Sequence, residues 1–204
     1  MPKVLIVIIT KDYVERETLD SVIAQGVDWI IVGKHPEVKT GDFFVDLYSN
    51  CSATRDHARK FALVSGADYI LFMDSDIVLP INAVKNLLKQ VGDGKRIIGG
   101  WYNCVNDRNR WVCGNWANDN VFINYRAVQP SLVKVDMVGL GCAIVPFDAV
   151  NEIDFKHGLN HTSINENGER VIVGECGIFG VDATNAGYSL YMDGSVVCGH
   201  LKRN

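Results

Sequence analysis

The chain has 204 residues, 48% of them hydrophobic and 22% charged, which is enough for one well-packed domain and short for two. A formal net charge of -4 leaves no broad basic field, so a nucleic-acid partner held mainly through its phosphates is excluded and any anionic ligand must be gripped locally. The six cysteines form no CxxC pair, so their spacing gives no zinc site. Reduced thiols in a cytoplasmic protein are expected, with Cys104 and Cys113 pairing only if their loop brings them together.

The apolar run in "MPKVLIVIITKD" is too short for a signal-peptide core with a cleavage site or for a membrane span, and its β-branched residues read as a first strand covered on both faces. "VERETLDSVIAQ" then places Val14, Leu19, Val22 and Ile23 at helical spacing, with Gly26 closing the helix. "VDWIIV" is the second strand, "GKHPEVKTGD" is turn chemistry, and "FFVDLY" reads as a further strand. A helix follows in "SATRDHARKFALVSGAD", capped by Ser52 or Thr54, with Ala58, Phe61, Ala62 and Val64 on its apolar side and Gly66 at its end. The strand "YILFM" leads into Asp74 and Asp76, and Pro80 opens the helix "INAVKNLLKQV".

This alternation of strands and helices predicts an α/β fold, a mostly parallel Rossmann-like sheet with helices on both faces. The second half reads differently. Residues 96–120 carry three tryptophans among many asparagines and read as a long loop over the sheet edge; short strands follow in "VFINYRAV", "LVKVDMV" and "GLGCAIVP". A helix near 176–186 and a closing strand "YSLYMDGSVVCGHL" complete the chain, with no internal repeat and no linker.

The chemistry concentrates in "YILFMDSDIVLP". Two carboxylates at the carboxyl end of a central strand stand where open α/β sheets bind ligands. Oxygen ligands on one turn suit Mg²⁺ or Mn²⁺, hard cations that keep positions open for water and diphosphate oxygens. Two other readings fit the same residues. Asp74 and Asp76 cap the following helix; or "ILFMDSDIVL" is the apolar-DxDx[TV] motif of haloacid-dehalogenase-like phosphatases, with Asp74 as nucleophile and Asp76 as acid/base. In those phosphatases the motif ends the first core strand, whereas here a βαβα segment precedes it.

The ordered series "VLIVIIT", "NCSATRDHARKFALVSGADYILFMDSDIVLP", "GGWY", "VGLGCAIVPFDAV" and "GECGIFGVDATNAGYSLYMDGSVVCGH" resembles the nucleotide-sugar glycosyltransferases of the GT-A fold over nearly the whole chain. The resemblance implies a single domain with a nucleotide-binding half over 1–100 and an acceptor-binding half over 101–204. It implies a sugar transfer, inverting in outcome, from a nucleotide-diphosphate sugar to a carbohydrate, protein or lipid-linked acceptor. Asp74 would lie near the ribose or metal, Asp76 would bind the metal, and His200 in "CGH" would complete the metal or diphosphate site.

By the same resemblance Thr10 lines the nucleotide pocket, Arg55 offers a bidentate donor to phosphate or base, and Gly141 joins the nucleotide-sugar site. Trp101, Tyr102, Trp111 and Trp116 either stack on a sugar face or form a minor core beneath the loop. The Glu-Asp pair that supplies the family's general base reads Glu175-Cys176 here, leaving Glu175 as first candidate and Asp136 as reserve. The acidic turn expected after the second strand is replaced by "IIVGKHPE", which brings Lys34 or His35 to that position. These departures keep a catalytically silent sugar-nucleotide-binding protein among the readings. A nucleotidyltransferase is disfavoured because no GxGTR-type loop follows the first strand.

Overall fold

The structure, a computed structural model, describes residues 2–33, 43–104, 107–118, 121–155, 162–164 and 170–201. In chain order it holds β1 (Val4–Ile9), α1 (Arg16–Ile23), β2 (Asp28–Val32), α2 (Phe43–Leu63), β3 (Tyr69–Asp74), β4 (Ile77–Val78), α3 (Ala83–Gln90) and β5 (Arg96–Trp101). Then come β6 (Cys113–Asn118), β7 (Val121–Asn124), β8 (Leu132–Val135), β9 (Met137–Val138), β10 (Cys142–Pro146) and α4 (Phe147–Glu152). The chain closes with β11 (Thr162–Ile164), β12 (Arg170–Ile172), α5 (Glu175–Asn185), β13 (Ser189–Val197) and β14 (Gly199–His200).

A 7-stranded sheet in the order β2-β1-β3-β10-β5-β13-β8 forms the centre. The pairs β2–β1, β1–β3 and β5–β13 are parallel, while β3–β10, β10–β5 and β13–β8 are antiparallel. The expected mostly parallel sheet is therefore a mixed one: β10 slots between β3 and β5 in the opposite sense, and β8 does the same at the edge. A 5-stranded sheet, β12-β11-β7-β6-β9, is built from the second half, and β14 pairs with β4 in a small ribbon.

Period-2 alternation explains the core. Along β1, Leu5, Val7 and Ile9 enter one buried cluster with Ala58 and Ala62 of α2, Ala149 and Val150 of α4, and Phe179 and Ala183 of α5. Val4, Ile6 and Ile8 enter the opposite cluster with Val22 of α1 and Val84 and Leu87 of α3. Both faces of the sheet are thus covered, which is why β1 and β3 read as unbroken apolar runs.

Several local expectations are corrected. "FFVDLY" is not a strand: it is the start of α2, because no glycine or proline interrupts the chain from Phe43 to Leu63 and a helix propagates once nucleated. Ser52 and Thr54 therefore lie inside that helix rather than at its cap, and the Thr54 hydroxyl donates back to the Asn50 carbonyl at 2.8 Å. Phe61 and Val64, expected on the apolar side, are 47% and 84% exposed.

The region read as a loop over 96–120 contains β5, a central strand, and β6. The glycines that weaken its β signal are there for close approach: a Cβ at Gly99 would sit 2.7 Å from Met192 Sδ, and one at Gly100 would sit 2.8 Å from Cys142 Sγ. The helix after the aspartates starts at Ala83 with Asn82 at its N-cap, and β4 lies between, so Asp74 and Asp76 do not cap it. All six cysteines are free, so Cys104 and Cys113 are not paired. Among the described residues no helix is long and apolar enough to cross a membrane.

Candidate active site at the end of β3

Parallel pairing of β1 with β3 sets Ile9 opposite Asp74, so Thr10 and the Asp74-Ser75-Asp76 turn leave the sheet at the same edge. Thr10 is buried; its hydroxyl donates to the Tyr13 carbonyl, and its N–H donates to the Val32 carbonyl at 3.1 Å. It therefore ends β1 and shapes the following turn through local bonds.

The closing segment reaches the same place by a different route. After β13 the Cys198 N–H donates to the Trp101 carbonyl at 2.7 Å, and β14 then pairs with β4, setting His200 opposite Ile77. The Leu201 N–H donates to the Asp76 carbonyl at 2.9 Å, which fastens the segment after β14 to the turn. His200 Nε2 thereby stands 3.6 Å from Asp76 Oδ1, with the two side chains 11% and 16% exposed.

His200 Nδ1 donates to the Asn103 carbonyl at 2.6 Å. That bond fixes the imidazole orientation and, in the neutral ring, leaves the lone pair on Nε2, the nitrogen that faces Asp76. Burial alone would lower the His200 pKa, but the Asp76 carboxylate and the Asn103 carbonyl outweigh it and hold it above the ordinary value. Asn103 acts through its backbone, so nothing in its side chain announces the role. Arg108 adds a second tie by donating to the His200 carbonyl at 2.9 Å and to Asn103 Oδ1 at 3.1 Å.

Asp74 is held from the other side. Its Oδ1 accepts from Arg55 at 2.9 Å, its N–H donates to the Gly141 carbonyl at 3.1 Å, and a Cβ at Gly141 would lie 2.5 Å from its Oδ2. Burial pushes the Asp74 carboxyl above its ordinary value; Arg55 pulls it back, and Asp76 and Glu175 add to the push. The side chain keeps 31% exposure, so water still reaches it. Gly141 also donates its N–H to the Tyr102 hydroxyl at 2.9 Å, a contact the sequence reading did not foresee.

The candidate bases are both engaged. Glu175, 7% exposed at the first turn of α5, points Oε1 at Arg55 Nε across 3.4 Å. Asp136, between β8 and β9, accepts the Trp116 N–H on Oδ2 at 2.8 Å and is tied by its own N–H to the Gly114 carbonyl and Asn115 Oδ1. Cys176 Sγ accepts the Leu140 N–H at 3.4 Å, and burial pushes its thiol well above the ordinary range.

Of the four aromatic candidates, Trp101 and Tyr102 belong to the core, while Trp111 and Trp116 are half-buried. Trp101 is fully buried, with Trp111 and Tyr125 meeting its ring edge-on, so it offers no open face to a sugar; Tyr102 is 4% exposed. Trp116 packs edge-on against Phe122 in the second sheet. Lys34 and His35 lie outside the described residues.

Among the described residues no group of three or more His, Cys, Asp and Glu side chains is arranged to hold a metal ion. Asp74 Oδ1 is taken by Arg55, while Asp76 Oδ1 and His200 Nε2 stand within 3.6 Å of each other. One carboxylate oxygen and one imidazole lone pair suit a hard or borderline divalent cation that takes its remaining ligands from water and phosphate.

No protein-family model matches the sequence, and no curated protein matches it. In three dimensions the chain is similar to A197 from STIV, with TM-score 0.71 and 14% identity over 98% of this chain and 86% of that one. It is also similar to GalNAc-T7, in a crystal structure with UDP, GalNAc and Mn²⁺, with TM-score 0.63 and 10% identity over 100% of this chain and 44% of that one. At these identities the likeness shows the fold alone: the chain shares that of A197 and of the part of GalNAc-T7 it covers, less than half of that chain.

Proposed function

We propose that the chain is a divalent-metal-dependent glycosyltransferase of the GT-A type, moving a sugar from a nucleotide-diphosphate sugar to a carbohydrate, protein or lipid-linked acceptor. The observation that carries this reading is the meeting of Asp76 and His200, which come from β3's end and the last described strand and stand 3.6 Å apart. A fold shared with a protein that holds UDP, GalNAc and Mn²⁺ supports it and makes a UDP-sugar the first donor to test.

Asp76 and His200 Nε2 would hold Mn²⁺ or Mg²⁺, and the Asn103 carbonyl keeps the imidazole in the orientation that does so. The ion, when bound, neutralises charge on the departing diphosphate. The turn after β1 at Thr10 borders the same edge and supplies a wall for the nucleoside.

The phosphatase reading asks Asp74 to be a nucleophile with an unhindered oxygen. Against it, Asp74 Oδ1 is committed to Arg55, and β1, α1, β2 and α2 precede a motif that in those phosphatases ends the first core strand.

Thermal unfolding with UDP, GDP, dTDP and CMP, each with and without Mn²⁺, tests the proposal on the wild type and on Asp76→Ala. A rise in midpoint that needs both nucleotide and metal, and is absent in Asp76→Ala, is expected; about 3 kcal/mol of stabilisation accompanies ligand at a hundredfold excess over its Kd. Stabilisation by Mg²⁺ with beryllofluoride and by no nucleotide would replace the transferase by the phosphatase.

A further inference from the structure

Arg55 was expected to reach a phosphate or a base, and its surroundings forbid it. The side chain is 3% exposed and lies inside the wall of the site, with each of its three nitrogens turned to a group of the protein itself. Nη2 donates to Asp74 Oδ1 at 2.9 Å, Nη1 donates to the Leu140 carbonyl at 3.3 Å, and Nε faces Glu175 Oε1 at 3.4 Å. A buried guanidinium is tolerable only with carboxylates around it, and burial of those carboxylates is tolerable only with the guanidinium. Burial works against the Arg55 charge, but Asp74 and Glu175 more than restore it, so the group stays protonated.

The contacts are unequal. The Asp74 contact is a charge-assisted hydrogen bond, whereas Nε has no hydrogen-bond partner and meets Glu175 as a looser ion pair. One rigid fork on α2 therefore ties the end of β3, the first turn of α5 and the turn before β10 together, with the firmest hold on Asp74.

We propose that Arg55 is a positioning residue: itself buried, it locks Asp74 and Glu175 into one unit, fixes the strand end from which Asp76 and His200 face a metal, and makes no contact with the donor. Glu175 is the counter-charge of that unit and not the proton acceptor of the transfer. This inference rests on the metal-dependent transferase reading and goes beyond it by assigning what builds the site.

The test is calorimetric UDP binding with and without Mn²⁺, alongside thermal unfolding, for wild type, Arg55→Met, Arg55→Lys and Glu175→Gln. Arg55→Met should lose about 10- to 100-fold in UDP affinity with Mn²⁺, the range seen when groups that orient metal ligands are removed, and change less than about twofold without it. Arg55→Lys should recover part of the loss, since lysine is a point charge that serves one carboxylate at a time. Glu175→Gln, which removes one of the two counter-charges of Arg55, should lower Mn²⁺-dependent UDP affinity in the same direction as Arg55→Met, and slow hydrolysis of the UDP-sugar should fall no further than binding does.

Equal losses with and without Mn²⁺ would show that Arg55 touches the nucleotide, and lowered melting with unchanged affinity would show a structural role alone; either overturns the assignment. If Arg55→Met does not fold, Arg55→Lys carries the same comparison. Hydrolysis abolished in Glu175→Gln with UDP binding intact would return Glu175 to the role of base. A wild type that binds no nucleotide with Mn²⁺ overturns the transferase reading, and this assignment with it, before any variant is made.

Discussion

At Gly141 the room for a side chain is already taken. A Cβ there would meet Asp74 Oδ2 at 2.5 Å and the Tyr102 hydroxyl at 2.8 Å, both held in place by Arg55 and by the Gly141 N–H. Gly141→Ala should therefore destabilise the chain by about 1–3 kcal/mol in urea unfolding, the usual range for overpacking, and weaken Mn²⁺-dependent UDP binding with it. An unchanged midpoint and unchanged binding would mean that Asp74 has room to turn away. At this scale the sequence was informative about which residues gather and less about what they do there. Asp74, Asp76, Arg55, Glu175, Gly141 and His200 gather around the end of β3, but the pairing of Arg55 with two carboxylates is set by burial, which no local pattern displays. Asn103 was invisible because it is its backbone carbonyl that meets His200 Nδ1.

Among the elements, the short ribbon of β14 on β4 carries the most for its length. It fixes His200 opposite Ile77, and Gly199 opposite Val78 leaves little space, with a Cβ at Gly199 lying 3.3 Å from Val78 Cβ. Gly199→Val should push the ribbon apart. The expected result is a loss of about 10- to 100-fold in Mn²⁺-dependent UDP affinity, as His200 withdraws from Asp76. Melting should fall by no more than about 4 °C, what a loss near 1 kcal/mol produces in a chain of this size, because the ribbon lies outside the large sheet. A large drop in melting with intact binding would reverse the account of this element. The elements legible in the sequence were those whose signal is local: β1 and β3 as continuous apolar runs, α1 and α3 as periodic segments. "FFVDLY" misled because Phe43, Phe44, Val45 and Tyr48 favour strands while the uninterrupted chain behind them favours a helix. β5 was hidden by Gly99 and Gly100, whose reason for being glycine lies on β13 and β10 and not in the strand itself.

On the scale of the whole molecule, alternation of apolar positions marks strands without naming their neighbours. The insertion of β10 between β3 and β5 depends on contacts far apart in sequence, which is why a mostly parallel sheet was read where a mixed one stands. The two buried clusters on either side of that sheet leave its edge at Thr10, Asp74 and Asp76 as the place where β1, β3 and the last strand converge. The central claim is that this edge binds a metal and a nucleotide sugar and turns the sugar over. Its most direct test is release of UDP from UDP-GalNAc by the purified chain with Mn²⁺, against chelator and against His200→Ala. Release that requires the metal and is lost in His200→Ala is the expected result. No release from any UDP-, GDP- or dTDP-sugar, together with metal-dependent hydrolysis of a phosphomonoester that is lost in Asp74→Ala, would contradict it.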